Sequence, residues 1–214
     1  MRPQRDGRRG QALVEFALVF PILALLVFGM ISLGLWVFYQ QQLSNAVREA
    51  ARYAAVHSSS AQCPTVSHLD PQAYPLSYSR CDRPEDGWPK MVAAGRSAIW
   101  AMNAANVSIV GCWSGYVDAM GNDAPPGSAG ATYAPCTISG QVAESSVSAL
   151  PCPVTAADAV DTASDVSYQN GLTYGTRVTV YACVGWSPPM AGFLMIPSSV
   201  TLRAGITEII QRQQ

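Results

Sequence analysis

From Ala12 to Tyr39 the chain is an almost unbroken apolar run, and Glu15 is the one charge inside it. At about 1.5 Å of rise per residue, roughly 28 residues suffice to cross a bilayer as a tilted helix. The pattern changes at Gln40 without a helix break. Residues 40–56 contain no Gly or Pro, and Leu43, Ala46, Val47, Ala50 and Ala54 recur at helical spacing on one stripe. A single helix of about 45 residues is therefore expected from Gln11 to His57, apolar all round at first and amphipathic afterwards. Trp36, Phe38 and Tyr39 form an aromatic cluster of the kind found at a bilayer surface. Pro21 removes one backbone hydrogen bond, so a kink or local unwinding is expected there. Gly29 and Gly34, with Ser32 between them, would let a neighbouring helix approach closely. Ordinary transmembrane composition explains the two glycines equally well.

Beyond Ser58 the chain becomes rich in Ser, Thr, Gly and Pro. Residues 58–88 read as loop. Pro89 opens a second helical pattern (Met91, Val92, Gly95, Ala98, Ile99, Met102, Ala105), which predicts a helix over 89–105. Asn106 to Trp113 alternates like a strand, 118–135 reads as an exposed loop, and Thr137 to Ala143 as one short strand. Residues 144–175 give no clear pattern. Arg177 to Trp186 alternates and predicts a half-buried strand, Phe193-Leu-Met-Ile is an apolar tip, and 199–210 is a final strand. The two last strands should pair as a hairpin, with helix 89–105 covering one face of the sheet. The expected class is α+β. The expected division is a basic leader (1–10), a long helix (11–57, membrane-spanning over about 12–39) and an extracytoplasmic head (58–214).

Charge refines this picture. The leader holds Arg2, Arg5, Arg8 and Arg9 against Asp6, and little basic charge follows the apolar run closely. Positive residues on the near side predict a cytoplasmic N-terminus in the inner membrane and a head on the far side. A net charge of −1 gives no electrostatic reason to expect a nucleic-acid partner. All six cysteines (Cys63, Cys81, Cys112, Cys136, Cys152, Cys183) follow the apolar run. An even set in an exported region reads as a disulfide framework of open pairing, in which a local Cys63–Cys81 bridge is the one pairing singled out. No Cys-x₂₋₄-Cys spacing supports structural zinc, and no metal or cofactor is expected.

Enzymatic chemistry finds little footing. His57 and His68 have no partner at ligand spacing and read as surface or capping residues. Asp158, Asp161 and Asp165 would share one helix face, but the acidic loop of an EF-hand is missing, so a solvated face is the expectation. Neither a nucleophile elbow, a phosphate-binding loop nor a zinc-protease motif is present.

The N-terminus is different because its parts agree with one another. A basic leader ends in Gly10, four neutral residues follow (Gln11 to Val14), and then come Glu15, Phe16 and an apolar helix. This resembles the class III signal of type IV pilins. The resemblance implies that a prepilin peptidase cuts after Gly10, making Gln11 the new terminus and Glu15 the fifth mature residue. It also implies that the carboxylate meets the freed amine of a neighbouring subunit. Pairing is sensible physics: a lone acid at the centre of a membrane helix costs about 2.5–3.5 kcal/mol even on lenient scales. Gly10-Gln-Ala-Leu-Val-Glu-Phe-Ala-Leu-Val-Phe-Pro21, the long helix and Asn45-Ala-Val-Arg-Glu-Ala-Ala-Arg52 together are similar to the TadE/TadG-type minor pilins (pseudopilins) of the tight-adherence, or Flp, pilus system. The ending, a Val-rich strand into Pro-Pro and then Val200-Thr-Leu-Arg-Ala, is also similar to that family. The implied partners are other pilin subunits, the pilus assembly platform, the peptidase and the lipid bilayer, and the implied role is structural. The alternative is a secreted disulfide domain with a binding or sensing role, tethered by one membrane helix. It gives neither Glu15 nor the glycine before Gln11 a task.

Overall fold

The computed structural model describes residues 7–57, 88–120, 124–160, 177–189, 191–192 and 197–209. Cys63, Cys81, His68, Asp161, Asp165, the loop 58–87, the unclear stretch 161–175, the apolar tip 193–196 and residue 210 lie outside these.

Helix α1 (Gly7–His57) spans 51 residues and contains Pro21. It ends where the sequence predicts. Its helical assignment continues through Pro21, so the lost hydrogen bond does not unwind it. Two compact units share the helix: Met1–Phe38 with Ser187–Val200, and Tyr39–Trp186 with Thr201–Gln214. In the first unit, α1 presents apolar side chains in all directions. Leu13, Phe16, Leu18, Phe20, Ile22 and Leu33 are all exposed, and mean hydropathy across the best window is 2.6. This one helix, long and apolar enough to cross a membrane, is compatible with a single-pass anchor.

The second unit is α+β. Helix α2 (Trp88–Ser97) is followed by strands β1 (Ser108–Val117), β2 (Thr132–Ala134), β3 (Thr137–Ile138), β4 (Gln141–Val142), β5 (Ala159–Val160), β6 (Arg177–Trp186) and β7 (Val200–Ile209). A four-stranded sheet runs β2-β1-β6-β7, and a three-stranded one β4-β3-β5. β1 and β6 are antiparallel from Ser108 opposite Cys183 to Ser114 opposite Arg177. The last residues of β1 pair antiparallel with β2.

The alternation of β6 sends its side chains into two cores. Val178, Val180, Ala182 and Val184 join Ile109, Leu202 and Ala204 under the helices. Tyr181 and Cys183 join Val110 and Cys112 in a cluster with Ile138, Leu150 and Ala159 of the smaller layer. Strand β6 is thus buried on both faces, not half-buried as its alternation suggests. The alternation is between two kinds of core, because Thr179, Tyr181 and Cys183 all find cover. The amphipathic stripe of α1 forms the opposite wall: Leu43, Ala46, Ala50 and Ala54 are 0% exposed. Its small residues let α2 come close. A Cβ built on Gly95 would sit 3.0 Å from the Ala46 carbonyl and 3.1 Å from Ala50 Cβ.

Three element boundaries differ from expectation. Helix α2 stops at Ser97 instead of near Ala105, closing with 3₁₀-type bonds from Ala98 N to Gly95 O and Ile99 N to Arg96 O. Asn103 then caps a separate 3₁₀ turn, Ala104–Asn106, its side chain accepting from Ala105 N. Local side-chain hydrogen bonding outcompetes helix continuation there. Thr137 to Ala143 is not one strand but the hairpin β3–β4. Ser139 and Gly140 both have positive φ, 49° and 77°, the two-residue turn whose twist suits a hairpin. Within the loop expected at 118–135, β2 forms at Thr132–Ala134.

Candidate assembly segment

The residues singled out by sequence sit at the start of α1. The helix begins at Gly7 with no acidic residue in its first turn, and Arg8 and Arg9 lie at its positive end. Cations at that end and two glycines in one turn both weaken helix. Gln11 Nε2 donates to Glu15 Oε1 at 3.3 Å, a neutral partner one turn back. Among the described residues the one ion pair is Arg52–Glu49, farther along the same helix. The Phe16 ring stacks on Phe20 at 5.3 Å. Pro21 follows on the same exposed stretch. Among the described residues no heavy atom from elsewhere in the chain lies within 4 Å of a Cβ built on Gly29 or Gly34. The structure thus groups Gly10, Gln11, Glu15, Phe16 and Pro21 within a few turns of one helix, where residues 11–21 are exposed.

In the head, Cys112 bonds Cys136 and Cys152 bonds Cys183, with Cα–Cα distances of 5.6 and 5.9 Å. The Cys63–Cys81 pairing falls on residues outside those described. Asp158 is not on an α-helix face. It ends a 3₁₀ turn, Ala156–Asp158, and β5 follows at once. Sequence reasoning missed one polar cluster. The Tyr133 hydroxyl lies 2.7 and 2.8 Å from the two Glu144 oxygens and 2.9 Å from Ser114 Oγ, with the Arg177 guanidinium 5.8 Å from its ring centre. Burial, and then donation to Glu144, push the Tyr133 phenol above its ordinary value against the opposing pull of Ser114. The phenol holds its proton and anchors β2. Its partners come from separate strands and a loop, so no spacing in the sequence announces them.

A search for similar proteins agrees with the N-terminal geometry. The family model described as "TadE-like protein" matches residues 10–52, the stretch from Gly10 through Arg52 of α1. No curated protein and no solved structure matches the chain. The TadE-like family is a pilus structural family, not an enzyme family. The long helix of this chain, from Gly10 through Arg52, is thus similar to TadE-like proteins, a family of the tight-adherence pilus system.

Proposed function

We propose that this protein is a minor, pilin-like subunit that acts in assembly of a tight-adherence pilus and carries out no catalysis. It enters the inner membrane with its arginine-rich end in the cytoplasm and its disulfide-bonded head outside. Prepilin peptidase cuts after Gly10 and frees the amine of Gln11. The chain then packs α1, through the surface around Gly29 and Gly34, against helices of other pilin subunits at the assembly platform. The observation that carries this reading is an exposed apolar helix bearing one acid, Glu15, which has no cation beside it among the described residues. A neighbour's new amine would supply that cation at the membrane surface, where a pair costs far less than either charge alone. Phe16 and Pro21 would complete the surface read by the peptidase and by the neighbouring helices.

The test is N-terminal sequencing of the protein from its host, beside the substitutions Glu15→Ala and Glu15→Gln. A mature start at Gln11 is expected. Both variants should insert normally and lose assembly by about tenfold or more, the loss a missing pair of about 1.4 kcal/mol or above would give. A chain recovered with its arginines intact, or an alanine variant that assembles normally, defeats the reading.

A further inference from the structure

The apolar run of α1 ends at Tyr39, and two other parts of the chain meet the helix there and just beyond. Gln42 Oε1 accepts a hydrogen bond from Trp100 N at 3.4 Å. Gln42 lies three residues past Tyr39, about 4.5 Å of helical rise. The Tyr39 ring lies 5.8 Å from that of Trp186, at the end of β6. Met102, Asn103 and Asn106 share with these two rings a cleft of about 100 Å³. Trp100 is fixed at this level through its backbone, yet 75% of it is exposed. The sequence that follows Arg96 is uncharged: residues 97–117 hold no Asp, Glu, Lys, Arg or His.

A large indole held outward beside the end of a membrane-length helix, on an uncharged loop, suits one phase above others. Tryptophan and tyrosine collect at the headgroup level, where a ring can lie in apolar surroundings while its N–H or O–H stays wet. We propose that residues 98–103 form a lipid-contacting surface of the head. Trp100 inserts among the phospholipid headgroups of the outer leaflet, and Tyr39 and Trp186 complete the aromatic belt. The occupant is lipid because Tyr39, the residue that ends the apolar run, lines one cleft with Met102 and Asn103, and residues 97–117 carry no charge for a protein partner to match. This proposal rests on the single-pass anchor described above and adds a second, peripheral contact to it.

Full-length protein in phospholipid vesicles tests it. One variant keeps Trp100 as its sole tryptophan (Trp36→Phe, Trp88→Phe, Trp113→Phe, Trp186→Phe), and a companion keeps only Trp36. Emission from Trp100 should be quenched by lipids brominated near the headgroup more than by lipids brominated deep in the chains, and should resist aqueous acrylamide. Quenching of Trp36 by brominated lipid with Trp100 open to acrylamide overturns the proposal and leaves the anchor standing. Protection of Trp100 from both quenchers means a protein contact and also overturns it. Failure of brominated lipid to quench either residue removes the anchor as well. The single change Trp100→Phe in otherwise unaltered protein guards against misfolding: it should reduce the lipid-dependent part of the total quenching, and no reduction counts against the proposal.

Discussion

Asp158 holds together a corner of the head that no helix or long strand supports. Its Oδ2 accepts from Thr155 N at 2.7 Å and from Thr155 Oγ1 at 2.8 Å, and its Oδ1 accepts from Ser139 Oγ at 3.2 Å. The backbone bond from Ser139 N to the Asp158 carbonyl, 2.6 Å long, ties the same turn to the β3–β4 hairpin. Donation from the Thr155 backbone and then its hydroxyl holds the carboxyl below its ordinary 3.8. A carboxyl lowered by folding adds stability that is complete above the unfolded value and vanishes as pH falls through the folded one. Asp158→Ala should therefore lower the melting temperature of the detergent-solubilised protein at neutral pH. The gap should close in acid below the ordinary carboxylate value, as melts followed by circular dichroism across pH will show. A gap that persists in strong acid would mean that charge on Asp158 is not what orders the turn. Glu15 was legible in the sequence because a charge within an apolar run is conspicuous by itself. The roles of Asp158 and Tyr133 were not, because Ser139 and Glu144 reach them from 19 and 11 positions away.

Among the elements, the contact between α1 and α2 depends on a missing side chain. A Cβ on Gly95 would lie 2.9 Å from Ile109 Cδ1 and 3.0 Å from the Ala46 carbonyl, and the latter is backbone that cannot swing aside. Gly95→Val should destabilise the head by about 1–3 kcal/mol through overpacking, even though glycine is the poorer helix former. Denaturant titration of the full chain reads the change, and a neutral result would mean that the two helices separate without cost. Both helices were readable from periodicity, as were β6 and β7, because each is long and regularly patterned. The end of α2 was not, since Ser97 and Asn103 look unremarkable inside a helical repeat until their backbone bonds are seen. Nor was the burial of both faces of β6. Period-two alternation separates two sides but does not say whether water or protein lies on either. Ser139-Gly140 was the one turn signal available for the β3–β4 hairpin, and it is weaker than Asn-Gly.

Among its described residues the head has three layers, and the two described disulfides tie the small one to the main sheet. Both of these bonds lie in the cluster between the main sheet and the small β4-β3-β5 layer, whose strands are two residues long. Sequence separations of 24 and 31 correspond to about 3–4 kcal/mol of chain-entropy stabilisation for each bond. Replacing Cys152 and Cys183 together by alanine should remove stability on that order and expose the small layer first, seen as faster amide exchange around Ile138 and Ala159 than around Val180. Uniform exchange across both layers would refute the division. The six cysteines announced such staples, while the layer they secure left almost no periodic trace.

One feature of α1 bears on how this molecule meets mechanical load. The residues that follow its membrane-length segment are not a linker: Leu43, Val47 and Ala54 are core residues of the head. A pull on the N-terminal end is therefore delivered into the core of the head and not into a connecting loop.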